Sequence, residues 1–227
     1  HRRWQGYCTE NAVFAVAVVV FTLSATGRMA GQQTQPGGMK METFAKSQQE
    51  YVQGIRQYLH QVPETRWEEE GTLTFILHQV EEMISNSSLK SSTTIRMLKG
   101  GLVVDLSAPG RPIRIFRADV DALPVNEATA LPFASKIPGK MHACGHDTHV
   151  AMLLGAMQAI YSGQVKNAGS LRFVFQRAEE NPGIKPESIS GGEMLVREGM
   201  LEGVSEVYGL HIWNSPETGT PGVFYSR

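Results

Sequence analysis

The sequence predicts an α/β fold, a mostly parallel sheet flanked by helices, and three observations carry that prediction. Apolar residues recur at helical spacing before residue 85 and again after Asp147, whereas 94–98, 102–106, 113–116, 170–176 and 207–212 are short β-rich runs. From residue 113 onward strand and helix signals alternate, the order that crossover units with parallel strands require. Strands also end beside residue types that do chemistry: Asp119 and Asp121 after the first, Glu179 and Glu180 after the next, and His211 within the last. Open α/β sheets place their sites at such strand ends.

The elements follow in order. Arg2 and Arg3 precede an apolar run from Ala12 to Leu23, then small residues and the Gly-rich QQTQPGGMKME. A basic start, a short apolar stretch and small residues resemble a secretory signal, and the run is short for a bilayer span. The alternative is a non-native extension, with the protein starting at Met39 or Met41. On either reading residues 1–40 lie outside the fold, the domain is expected over 41–218, and 219–227 lead into a connection. Location follows the same fork: cytoplasmic, or the secretory pathway if the apolar segment is a true signal.

Tyr51, Ile55, Tyr58 and Leu59 mark a first helix, which Pro63 stops. A second begins near Glu68–Glu70 and carries Leu73, Ile76, Leu77, Val80 and Met83 at the same period. The lone histidines of these helices, His60 and His78, are expected at the surface or at caps. Gly100 and Gly101 between two β-rich runs read as a hairpin. Residues 181–190 are a Pro/Gly/Ser-rich loop, and 192–198 are helical.

Composition narrows the function classes. With 21 basic and 22 acidic residues well mixed over 227, nothing favours a nucleic-acid partner or an anionic membrane surface. Cys8 and Cys144 sit in segments of different character, so no disulfide framework is expected. Cys144 is better kept as a thiolate.

The stretch MHACGHDTHVAMLLGAMQAIY, 141–161, holds the densest chemistry. Within eight positions it sets His142, Cys144, His146, Asp147 and His149. A single buried Cys or His is most often a core or capping group; five metal-binding types together point to a site. Cys144 and His146, one residue apart, converge on one side only if the segment is extended or turning. The expectation is a loop delivering ligands at the mouth of a helix capped by Asp147 or Thr148, with Val150, Leu153, Leu154, Met157, Ile160 and Tyr161 as its buried stripe. The spacing lacks the paired units of a closed structural zinc site and fits an open one completed by distant strands.

With FRADVDALPVNE at 116–127, GKMHACGHDTHVAMLLGA at 139–156, FQRAEE at 175–180 and YGLHIW at 208–213 in that order, and RQYLHQVPE near the start, the chain resembles the amidohydrolase family of dinuclear metallopeptidases. That family includes N-acyl-amino-acid amidohydrolases, hippurate hydrolases and indole-acetyl-amino-acid hydrolases. The resemblance implies Cys144, His146, Glu180 and His211 as ligands of two divalent cations, zinc or manganese with cobalt also open. Cys144 takes the bridging place that carries aspartate in the wider clan. Glu179 is implied as the general acid/base that activates a metal-bridging water, and Asp119 as the carboxylate that orients a ligand; His142, Asp147 and His149 are supporting residues. The implied reaction is hydrolysis of the amide bond of small N-acyl amino acids or amino-acid conjugates, with no nucleic-acid or membrane partner. A dipeptidase or carboxypeptidase using the same dinuclear site, or a non-catalytic metal-binding fragment, is the alternative.

The sequence departs from the family in two places. Arg177 stands where the family normally has Pro, and NPGIKPESISGG, with Lys185, replaces a short glycine run after the paired glutamates. Family members also continue into a lid and dimerisation domain and a last histidine ligand. The expectation is therefore an N-terminal part, the lid domain missing, weakly active alone, whose full-length form is a homodimer through that lid.

Overall fold

The computed structural model describes residues 41–166, 169–180, 189–214 and 221–226. The signal-like segment, Cys8 and Lys185 lie outside them. Helix α1 (Met41–Gln61) and helix α2 (Glu70–Ser85) precede strands β1 (Thr93–Leu98), β2 (Gly101–Leu106) and β3 (Ile113–Asp119). Helix α3 (His146–Tyr161), β4 (Ser170–Gln176), the short α4 (Gly191–Arg197), β5 (Val204–Asn214) and β6 (Pro221–Ser226) follow.

The described strands form one sheet in the order β1-β2-β4-β3-β5-β6. The α/β class and the flanking helices are as the sequence predicts, but parallel pairing is confined to the centre, where β3 runs parallel to β4 and to β5. Outside it the pairs β1–β2, β2–β4 and β5–β6 are antiparallel. The cause is local for β1–β2: Gly101, with φ of +148°, turns the chain straight back, and a two-residue link permits only antiparallel return. Within 219–227, expected to lead into a connection, Pro221–Ser226 pairs with β5 as the sixth strand.

Period-two alternation divides the sheet between two cores. Leu102, Val104, Phe116, Leu171, Phe173 and Phe175 face α1, α2 and α3, while Val103, Ile115 and Val174 face Leu195 of α4 and Met200. Every residue of α3 except Gln158 is buried, because α3 lies between the sheet and the helices α1 and α2. The single stripe expected from the sequence is thus only part of its contact surface; a helix apolar all round is an interior one. β4 is buried at all seven positions. These two interior elements, joined through 162–169, bring the mouth of α3 and the end of β4 together on a rigid frame.

Candidate metal centre

Helix α3 starts differently from the sequence reading. Its N-cap is Gly145 at φ +89° with no side-chain cap, and a Cβ there would collide with the side chain of Ile212. Glycine is therefore demanded twice, by the left-handed backbone and by the close approach of β5. Asp147 and Thr148 do not cap: Asp147 is fully buried, pointing towards α1, and Oδ1 accepts only the neighbouring Thr148 N–H at 2.9 Å.

This tight start aims the donors of three elements at one place. Donor atoms of Cys144, His146 and His211 lie within 4.8 Å of one another, and so do those of His146, Glu179 and Glu180. His211 Nε2 is 3.3 Å from Cys144 Sγ. His146 Nε2 is 3.8 Å from Glu180 Oε1 and 4.0 Å from Glu179 Oε2. All five residues singled out from the sequence as ligands or base share this space.

Hydrogen bonds on the far side of each ring decide which nitrogen faces inward. His146 Nδ1 is 2.9 Å from the Asp121 carbonyl oxygen and 3.2 Å from its Oδ1, acceptors both, so Nδ1 carries a proton and Nε2 is the nitrogen turned towards the other donors. His211 Nδ1 likewise donates to the Ile212 carbonyl at 2.5 Å, leaving Nε2 towards Cys144. His149 is different. Its Nε2 accepts the Ile212 N–H at 3.1 Å, so its Nδ1 must donate to Asp119 Oδ1 at 2.5 Å. With both nitrogens engaged, His149 ties β5 to β3 and has none left for a cation. Asp119 also accepts from Arg117 Nη1 at 2.8 Å, and its Oδ2 stands 3.7 Å from His146 Nε2.

Asp121 is the residue whose role the sequence did not reveal. Beyond orienting His146, its Oδ2 accepts the backbone N–H of Glu180 at 2.8 Å. One buried carboxylate thus fixes both an imidazole and a strand-end turn. Its position after an apolar strand marks it only as one of two acids; nothing local identifies its partners.

The two glutamates also differ from expectation. Opposite orientation is the rule within a strand, but β4 ends at Gln176, and Ala178 has φ +48°. That left-handed residue turns the chain, so both carboxylates approach His146. Burial, then the negative charge of Asp119, raises the Glu179 carboxyl above its ordinary value.

The electrostatics call for positive charge at the centre. Burial by itself would lower the His146 pKa, yet the hydrogen bond to Asp121, the adjacent sulfur of Cys144 and the charge of Asp119 push it up to about 11. At Cys144 the neighbouring His146 pulls the thiol down, but burial and Glu180 together leave it raised. Both shifts run towards the protonated form, because the sulfur of Cys144 and the carboxylates of Asp119, Asp121 and Glu180 crowd around one imidazole. His146 Nε2 and Glu180 Oε1 are moreover buried with no hydrogen-bond partner among the described residues, a costly condition. Two imidazole nitrogens, a thiolate and a carboxylate form a set that suits a divalent transition metal. The residues therefore fit such an ion on charge, donor type and convergence.

One residue along, Asp147 enters a separate buried network. Its Oδ2 is 3.0 Å from Arg56 Nε and 2.6 Å from His60 Nδ1, and His60 Nε2 is 3.3 Å from Glu127 Oε1. His60, expected at the surface or a cap, is 1% exposed. It lies on the face of α1 that meets α3, and Asp147, 87 residues away, is its partner. His142, a supporting candidate, is 6.4 Å from His60 between ring centres and brings neither nitrogen to a partner among the described residues. Burial pushes its pKa down to about 4, so it is neutral.

Residues 115–224 match peptidase family M20/M25/M40. The chain is 38% identical over 174 residues to an N-acyl-L-amino acid amidohydrolase of Geobacillus stearothermophilus, covering 75% of this chain and 43% of the relative. It is 33% identical over 191 residues to a thermostable carboxypeptidase of Saccharolobus solfataricus, covering 83% and 45%. A solved Bacillus subtilis structure, described as a dinuclear metal binding peptidase from the M20 family, superposes with TM-score 0.64 at 33% identity, over 75% of this chain and 45% of that one. The chain spans less than half the length of these relatives. Among the described residues no helix is long and apolar enough to cross a membrane.

Proposed function

We propose that the protein, whose residues 115–224 match peptidase family M20/M25/M40, is a metal-dependent amidohydrolase releasing an amino acid from a small N-acyl amino acid or amino-acid conjugate. The observation that carries the reading is the convergence of Cys144, His146, Glu180 and His211, with His146 Nε2 and Glu180 Oε1 buried and unpartnered among the described residues. Those four residues would hold two divalent cations. When bound, the cations supply Lewis-acid polarisation of the amide carbonyl and lower the pKa of a water in the site. Zinc suits a donor set of thiolate, imidazole and carboxylate; manganese and cobalt are compatible.

The residues of the chain do the rest. Glu179, with its side chain 39% exposed beside the buried donors, can meet both water and substrate. It takes a proton from the attacking water as the oxygen bonds to the carbonyl carbon. It returns that proton to the nitrogen as the C–N bond breaks, leaving a carboxylic acid and a free amine. A raised carboxyl pKa suits this double duty, since a base poised nearer neutrality is also a better acid. Asp121 and His149 keep the donors aimed, so little reorganisation is needed during reaction.

The test is turnover of a panel of N-acyl amino acids by the full-length protein, with and without chelator. Activity that is abolished by chelation and restored by added metal supports the reading; activity indifferent to chelation sinks it. Free dipeptides in the same panel separate an amidohydrolase from a peptidase. Tight stoichiometric metal binding with no turnover on any substrate would assign a non-catalytic metal-binding role.

A further inference from the structure

We propose that Glu69 and Arg177 form a latch that sets the direction of the Glu179–Glu180 turn, a positioning pair for the site. The proposal rests on the reading of those two carboxylates as base and ligand. The turn is strained where it matters. Ala178, directly before Glu179, has φ +48°, and Trp67, two residues before Glu69, has φ +63°. Residues with a Cβ avoid that region unless surrounding contacts impose it.

Glu69 supplies those contacts. It is fully buried at the entrance of α2, and its two oxygens are divided between the corner's backbone and its side chain. Oε1 accepts the Ala178 N–H at 2.8 Å, and Oε2 accepts Arg177 Nε at 2.8 Å. Arg177 Nη2 donates to Glu70 Oε1 at 2.5 Å, and its guanidinium lies 5.6 Å from the centre of the Trp67 ring. A carboxylate so placed is costly: burial raises its pKa even against Arg177 and the Ala178 N–H.

The remaining peptide groups of the corner are pinned as well. Arg177 N–H donates to the Gly100 carbonyl at 3.0 Å, and the Ala178 carbonyl accepts Gly191 N–H at 3.2 Å. Only glycine fits at 191, because a side chain there would run into the Arg177 carbonyl. With the Ala178 N–H held by Glu69 and its carbonyl held by Gly191, the plane leading into Glu179 has one orientation. The Glu180 N–H then reaches Asp121 Oδ2 at 2.8 Å. Removing Glu69 frees the first of these anchors, and the left-handed Ala178 relaxes towards the commoner backbone regions, rotating both carboxylates away from His146.

The experiment compares Glu69→Ala, Glu69→Gln, Arg177→Ala and Arg177→Lys in the full-length protein by three readouts. Glu69→Ala is expected to lower kcat about 10-fold to 100-fold with KM little changed, the pattern of a misplaced reacting group. It should also weaken cobalt binding, titrated against a competing chelator, and speed hydrogen exchange at the Glu180 amide, which Glu69 does not touch. The conservative variants should fall between: Gln keeps one acceptor oxygen, and Lys keeps a cation beside Glu69. If Glu69→Ala fails to fold, Arg177→Lys and Glu69→Gln carry the same three measurements. Variants that lose thermal stability but keep wild-type Glu180 exchange, cobalt affinity and kcat would overturn the latch and leave a mere brace. Should the wild-type protein hydrolyse no N-acyl amino acid, the functional reading fails while exchange and cobalt affinity still decide the latch.

Discussion

His146 and Asp147 are neighbours in sequence, both fully buried, yet they enter two clusters built on opposite terms. Asp147 meets Arg56 and His60, and His60 meets Glu127, so each of these polar groups finds a partner within the cluster. His146 meets a thiol and two glutamates, with its inward nitrogen unpartnered among the described residues and its pKa pushed up to about 11. The same helix start thus carries a network that closes on itself and a set of donors that closes only around something added. Paired buried charges specify packing; convergent unpaired donors are where chemistry is expected.

The largest effect should come from breaking the open cluster, and its members should break differently. Glu179→Gln is expected to lower kcat by about 10²- to 10⁴-fold, the usual contribution of a general base, while metal content stays at the wild-type level. Cys144→Ala should instead lose metal, measured by elemental analysis after gel filtration. Near-normal turnover in Glu179→Gln would remove the base assignment.

The closed cluster should fail through stability. Asp147→Ala leaves the partly buried Arg56 and the buried His60 without their carboxylate, a change that costs up to about 3–5 kcal/mol, the range for removing one partner of a buried pair. Urea unfolding of the chelated protein checks this, since chelation removes any contribution from metal binding at the adjacent His146. A loss below 1 kcal/mol would mean that water reaches Arg56 and His60 and the cluster is not closed.

The two clusters were unequally legible. The donors at 144 and 146 can be read from the sequence because their spacing is local, and Glu180 and His211 come with motifs in a fixed order. The burial of His60 could not be read, because its partner is 87 residues away and a lone histidine on a helix carries no sign of what packs on it. Neither could the common direction of Glu179 and Glu180, which depends on one left-handed alanine at 178 where glycine would have signalled a turn. In the sheet, Gly100–Gly101 announced the hairpin, but the pairing of β2 with β4 rather than β3 is a long-range choice made by packing, and with it the mixed character of the sheet.

A smaller effect is expected where one residue serves the open cluster from outside. Asp121→Asn keeps the backbone carbonyl acceptor for His146 but weakens the side-chain acceptors of its Nδ1 and of the Glu180 N–H. Loss of such a supporting contact typically lowers metal affinity about 10- to 100-fold. Competition with a chromophoric chelator reads this directly, and unchanged affinity would mean that the carbonyl alone orients His146.

The smallest effect concerns pH and the closed cluster alone. Burial would raise the Asp147 carboxyl, but Arg56 and then His60 hold it well below its ordinary value of 3.8. A depressed carboxylate contributes stability that is fully present above its unfolded pKa and is lost as pH falls through its folded one. The advantage of wild type over Asp147→Asn, measured by urea unfolding with chelator present, should therefore be flat from neutral pH to about pH 5. Below pH 4 it should shrink, by at most about 1.4 kcal/mol per pH unit, the limit for one proton. Glu69 has the opposite sign, its carboxyl raised by burial despite Arg177. Replacing it by Gln should accordingly leave no comparable loss on acidification, so a Glu69→Gln curve that steepened below pH 4 like that of Asp147 would show that the two buried carboxylates are held alike.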